Sequence, residues 1–241
     1  MTQPDFDSYL ICATPRSGST LLCGLLESSG VAGHPASYFN RKTLDVYAED
    51  WRIARPPDGR IDEVFVRAAL VAGSTPNGIF GGRVMAETLP ELVAGLSAEA
   101  AGPAADVDRL RAQFGRLIFV HLRRLDVVAQ AVSWTRSLQT NFWHPHEELE
   151  PGGQEPHYDE ELIGRIVTTI EEFEADWAAW FAAQGIEPYE VTYEELAADP
   201  LSAAQGVLDF LGLSPDRRLV IAHHRQADHI NADWISRFNA R

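Results

Sequence analysis

The sequence predicts an α/β fold, a P-loop-like three-layer α/β/α sandwich with a central parallel sheet. Short apolar runs at 9–13, 78–84, 117–122 and 187–192 alternate with longer stretches of helical periodicity. Strands separated by helices pair in parallel through right-handed crossovers, which puts helices on both faces of the sheet. The first run ends in Thr14-Pro15-Arg16-Ser17-Gly18-Ser19-Thr20, a tight turn that opens directly into a helix. Parallel sheets bind ligands beyond the carboxyl ends of their strands. Arg16, Arg123 and the turn after Met85 are expected to emerge together at that edge.

Each element follows from local pattern. Tyr9 to Cys12 form a buried strand that breaks at Pro15, and Leu21, Leu22, Leu25 and Leu26 keep helical spacing over 19–30. A helix-rich stretch runs to about 72, followed by the strand 78–84, a turn at Pro90 and a second helical stretch over 90–113. Leu117 to Leu122 form a strand and 126–139 a helix; a loop rich in Pro, Gly, His and Glu covers 141–157. Leu162, Ile166, Ile170, Phe173, Trp177 and Phe181 mark a long helix over 160–184. The strand 187–192, a helix over 200–211 and a C-terminal tail complete a single domain spanning 1–241.

Composition bounds the class. At 241 residues, 45% hydrophobic and 23% charged, the chain is ordinary for a soluble globular protein with a substantial core. No run approaches a membrane span of about eighteen apolar residues, and the early core strand leaves no room for a signal peptide, so a cytoplasmic protein is expected. Cys12 and Cys23 read as reduced core residues. The net charge of −15, with no basic stripe, disfavours nucleic-acid binding. The acidic runs Asp159 to Glu161, Glu171 to Asp176 and Glu194 to Asp199 read as solvated helix faces.

The turn over Thr14 to Thr20 is an anion site. Free N–H groups at a helix N-terminus converge there, and the helix dipole adds roughly half a positive charge. Arg16 adds a fork of donors, and Ser17, Ser19 and Thr20 add hydroxyls. A Walker loop would need G-x-x-x-x-G-K-[ST], whereas here Arg16 precedes the glycine. The strand that would offer a magnesium-binding Asp ends in Arg123-Arg124. The site is therefore expected to neutralise a phosphate or sulfate without metal. The plainer alternative is an ordinary strand–helix turn with an N-cap serine and a surface arginine.

Pro15 through Leu22 resembles the 5′-phosphosulfate loop of sulfotransferases that use 3′-phosphoadenosine 5′-phosphosulfate (PAPS), where a basic residue at the position of Arg16 faces the bridging and sulfuryl oxygens. Val191 to Leu196, Asp199-Pro200 and Phe210 to Leu213 are similar to that family's Y-E-x-L…D-P…F-L-G-L segment. Arg123 through Ser133 resembles the strand-loop-helix that holds the 3′-phosphate with an arginine and a later serine. Its spacing leaves both Arg123 and Arg124 as candidates. Gly30 to Pro35, Gly81 to Met85, Gln139-Thr140 and Arg225 to Asp228 are similar to the bacterial trehalose 2-sulfotransferase-like and lipopolysaccharide sulfotransferase-like branch.

The resemblance implies in-line transfer of the sulfuryl group from PAPS to a hydroxyl of a carbohydrate or glycolipid. It implies donor binding by Arg16, Ser17, Gly18, Ser19, Thr20, Arg123, Arg124, Ser133, Arg225 and Gln226, no metal, and a homodimer. The glutamate base of the trehalose branch is replaced by Ser37, which cannot accept a proton at neutral pH. Glu87, after a strand, and His34, whose ordinary pKa lies near operating pH, are the substitutes. As plainer readings, Glu87 caps the next helix and His34 is a solvated loop residue. His144, His146, His157, Glu147 and Glu148 read as a solvated or acceptor-covering loop rather than a metal site. Trp143 and Tyr38 are candidates to stack on a sugar, with core packing as the alternative. The competing functions are a P-loop small-molecule kinase and a non-catalytic homologue that binds the nucleotide sulfate.

Overall fold

The computed structural model describes residues 6–55, 59–96, 105–140, 155–221 and 229–240. Four parallel strands, β1 (Ser8–Ala13), β2 (Phe80–Met85), β3 (Leu117–Arg123) and β4 (Tyr189–Thr192), form a sheet of order β2-β1-β3-β4. Ala13 is in register with Met85 and Leu122, and Arg123 with Thr192. All four strands therefore end along one edge, and the segments that follow them emerge side by side.

Strand alternation sorts the core into two layers. Tyr9, Ile11, Ala13, Val120 and Leu122 face α1 (Ser19–Ser28), α8 (Tyr193–Ala198) and α9 (Pro200–Phe210). Leu10, Cys12, Phe80, Val84 and Phe119 face α2 (Leu44–Trp51), α3 (Glu63–Gly73), α4 (Leu89–Gly95), α5 (Asp106–Phe114) and the second half of α7 (Glu160–Gln184). The first half of α7 packs on α6 (Val127–Thr140) and α10 (His229–Asn239) through Ile163, Ile166, Ile170, Val132, Trp234 and Phe238. Both cysteines are buried and free, and burial pushes both thiols upward, Cys23 to about 11.

Most expected elements are present, with physical reasons for the differences. The turn expected at Pro90 lies just before it, over 86–88, and Pro90 itself sits in the first turn of α4, where a missing N–H costs nothing. The expected helix over 90–113 is two helices, α4 and α5, separated by residues outside those described. The C-terminal tail carries α10, whose Trp234 and Phe238 are buried. The acidic run Glu194 to Asp199 is not simply solvated. Thr192 and Glu195 form a capping box on α8, and Asp199 accepts from Ser202 N at the start of α9.

Trp177 joins the long helix to the end of the central strand. It is 1% exposed, and its Nε1 donates to Ala13 O at 3.1 Å. Trp177→Ala should cost about 3–5 kcal/mol, whereas Trp177→Phe, which mainly leaves that carbonyl unpaired, should cost about 1–3 kcal/mol; urea midpoints measure both. Acid should weaken the fold through two lowered carboxyls. Hydrogen bonds from the Arg116 side chain and backbone hold Asp7 below 3.8, and those from Thr192 hold Glu195 below 4.5. Their stabilisation is present above the unfolded values and lost as pH falls through the folded ones. A plot of Tm against pH below about 4.5 should therefore flatten in Asp7→Asn and Glu195→Gln.

Candidate active site

The turn between β1 and α1 is built to leave N–H groups unpaired. Arg16 and Gly18 have φ of 63° and 91°, both in the left-handed region, so the backbone curls around a common point. Gly18 is the N-cap of α1, and Leu21 N and Leu22 N already bond back to its carbonyl. The N–H groups of Gly18, Ser19 and Thr20 have no acceptor within the helix. A Cβ at Gly18 would lie 2.7 Å from the Tyr193 ring, so the backbone here must be bare. Ser17 belongs to the turn itself. It is fully buried, and both its N–H and its hydroxyl donate to Thr14 O.

The loop is anchored from behind. Gln130 on α6, itself fully buried, donates through Nε2 to Thr14 Oγ1 at 2.8 Å and to Pro15 O at 2.7 Å. Thr14 Oγ1 donates to Glu174 Oε1 on α7 at 3.1 Å. Glu174 Oε2 accepts from Arg123 Nε at 3.2 Å and lies 3.3 Å from His121 Nε2. The Glu174 side chain is only 14% exposed, so this member of the acidic run Glu171 to Asp176 faces inward rather than toward solvent.

Over β3 and β4 the structure brings Arg16, Arg124 and Ser133 together. Arg16 Nε donates to Ser133 Oγ at 3.1 Å, and Arg124 Nη1 donates to Arg16 O at 3.3 Å. The Arg124 guanidinium lies 4.2 Å from the centroid of the Tyr193 ring, the same ring that lies against Gly18. Glu194 accepts from Leu125 N and Asp126 N, which fixes the turn that carries Arg124. Arg123 points instead to Glu174 and is 41% exposed. Arg225 and Gln226 lie outside the described residues.

On the β2 side stands Arg83. Its Nε donates to Ser37 Oγ at 2.7 Å, and its Nη1 to Ser19 Oγ at 3.2 Å and Thr20 Oγ1 at 3.0 Å. Glu87 emerges just beyond the end of β2. Desolvation raises its carboxyl above the ordinary value of 4.5, opposed by its own backbone N–H and by Lys42. His34 is not at the loop. Its Nδ1 pairs with Glu27 Oε1 at 3.0 Å, seven residues along α1 from Thr20, or roughly 10 Å of helix. Tyr38 is 5% exposed and packed among Phe39, Tyr47, Trp51 and Phe80, so it offers no sugar-stacking face. Trp143, His144, His146, Glu147 and Glu148 lie outside the described residues.

Sequence reasoning gave no role to Arg83, Gln130, Glu174 or Glu194, although signals existed for two of them. Arg83 is a charge inside an otherwise apolar strand, where burial is costly without a purpose. Glu174 falls four residues after Ile170 and three before Trp177, on the buried stripe of α7.

Comparison with known proteins fits this arrangement. The family model for Stf0 sulphotransferase matches residues 8–241. The chain is 32% identical to trehalose 2-sulfotransferase of Mycobacterium tuberculosis (strain Erdman), over 96% of this chain and 94% of that protein. It is 29% identical to the trehalose 2-sulfotransferase of Mycolicibacterium smegmatis, with the same coverage. A sulfotransferase domain from the curacin biosynthetic pathway superposes with a TM-score of 0.52 at 15% identity, covering 89% of this chain and 76% of that one, a likeness of fold. With its anion loop, its parallel sheet and a family match along nearly its whole length, this chain belongs to the Stf0 family and is a sulfotransferase.

Proposed function

We propose that the enzyme transfers the sulfuryl group of PAPS to a carbohydrate hydroxyl. The observation that carries this reading is the pair of left-handed residues, Arg16 and Gly18, that turns the first N–H groups of α1 toward one point beside a guanidinium. That cradle suits the 5′-phosphosulfate, and the bare backbone at Gly18 allows close approach. The cluster of Arg16, Arg124 and Ser133 supports a 3′-phosphate over β3, with Arg124 the better placed of the two adjacent arginines. Ser17, sealed inside the turn, supports the loop's shape rather than touching the donor. The sugar acceptor is drawn from the named relatives, whose own acceptor is trehalose. No helix among the described residues is long and apolar enough to cross a membrane, in keeping with a cytoplasmic enzyme. A homodimer is proposed from the sequence resemblance alone.

Glu87 is the base in this reading. It follows β2 at the edge that holds the loop, whereas His34 sits two helical turns away and Ser37, a neutral hydroxyl that accepts from Arg83, is no base at neutral pH. The acceptor hydroxyl loses its proton to the Glu87 carboxylate while its oxygen attacks sulfur in line with the departing phosphate. Positioning and preorganised donors supply most of the catalysis, as in phosphoryl transfer.

Thermal unfolding with adenosine 3′,5′-bisphosphate, the product nucleotide, tests the donor site. At a hundred times its Kd the ligand should add about 2.7 kcal/mol of stability. The gain should shrink in Arg16→Ala and be absent with ATP–magnesium; a gain only with ATP–magnesium would point to a kinase. Transfer of labelled sulfate to a sugar panel headed by trehalose tests the acceptor class. Glu87→Gln should lower kcat by about a hundred- to ten-thousandfold while sparing bisphosphate affinity. Because the base acts deprotonated and its pKa is raised, the acid limb of kcat in the wild type should lie above pH 4.5 and vanish in the variant. Glu174→Gln should weaken the bisphosphate by about tenfold, because Thr14 and Arg123 lose a charged partner.

A further inference from the structure

Arg83 carries a charge that no described residue neutralises. Its three hydrogen-bond partners, Ser37, Ser19 and Thr20, are all neutral hydroxyls, and among the described residues no carboxylate pairs with it. A partly buried guanidinium without a counter-ion is costly unless a ligand supplies the negative charge. Ser37 contributes by its chemistry as well as its place. Its hydroxyl accepts from Arg83 Nε and fixes the plane of the guanidinium, whereas a carboxylate at that position would take up the charge.

Arg16 and Arg83 flank the first turn of α1 from opposite sides. Arg16 is tied to Ser133 on α6, over β3, while Arg83 stands on β2 and reaches the first-turn hydroxyls of α1. In a sheet ordered β2-β1-β3-β4, a nucleotide with its 3′-phosphate over β3 and its 5′-phosphate over the loop at β1 directs its transferable end toward β2. Resting on the donor reading above, we infer that Arg83 is a catalytic residue that binds the sulfuryl group itself, with Thr20 beside it. The acceptor oxygen forms its bond to sulfur as the bond between sulfur and the 5′-phosphate oxygen breaks. The acceptor's proton passes to Glu87, and adenosine 3′,5′-bisphosphate leaves. Arg83 holds the non-bridging oxygens of the moving group, while Arg16 and the loop N–H groups hold the charge that gathers on the leaving phosphate.

The two nucleotides differ only in the sulfuryl group, and this separates Arg83 from the rest of the site. Calorimetric titration of Arg83→Gln without acceptor should show bisphosphate affinity unchanged and PAPS affinity reduced by about ten- to a hundredfold. Turnover should fall by about a hundred- to a thousandfold. Arg83→Lys, which keeps the charge without the fork, should fall between wild type and Arg83→Gln, and it carries the comparison if the glutamine variant does not fold. Unchanged bisphosphate binding also shows that the loop remains folded in the variant. Equal weakening of both nucleotides would reduce Arg83 to a strut of the loop, and no weakening of either would remove it from the site; both results overturn the inference and leave the donor reading intact. Failure of the wild type to bind either nucleotide would overturn both.

Discussion

The hydroxyl of Thr14, buried at the end of β1, accepts a hydrogen bond from Gln130 and donates one to Glu174. Through that one oxygen, α6 and α7 hold the segment that must curl at Arg16 and Gly18. A left-handed non-glycine residue is strained, and it persists only where its surroundings overdetermine it. Pro15 O bound to Gln130, Ser17 bound back to Thr14 and Arg124 bound to Arg16 O supply that surplus of constraint. The loop is thus rigid because of what lies behind it.

The electrostatics are local against an opposing global field. The chain carries a net charge of −15, which repels anions at long range. At the carboxyl edge of the sheet the balance reverses, with Arg16, Arg83 and Arg124 around the first turn of α1. The acids near them are engaged by backbone or by specific partners. Glu194 holds two N–H groups of the β3–α6 turn, and Glu174 holds Thr14 and Arg123. Carboxylates so occupied shape the cationic site without cancelling it.

The loop, the strands and the order of helices were legible in the sequence because each depends on a short pattern. Pro15 to Leu22 and the period of α7 are local signals, and the chain follows them. Side-chain direction was less legible. Ser17 looked like a ligand contact and proved to be the turn's own internal bond, because spacing does not report which way a hydroxyl points. His34 looked available for proton transfer, but α1 carries its partner Glu27 away from the loop. Arg83 and Glu174 depend on contacts between segments distant in sequence, which no single window contains.

The central position of β1 has a consequence for how the molecule assembles. Ser8 pairs with Phe80 on one side and with Leu117 on the other, so the first strand of the sheet waits for partners far along the chain. Contacts so distant along the chain require large loops to close before any reward is collected, which slows folding. During synthesis β1 leaves the ribosome with both edges bare; β2 can cover one of them, and the other stays bare until β3 has emerged. An apolar strand in that condition is a template for association with other chains. The candidate site, which needs β1, β2, β3 and Tyr193 of α8 at once, is therefore among the last parts of the enzyme to exist.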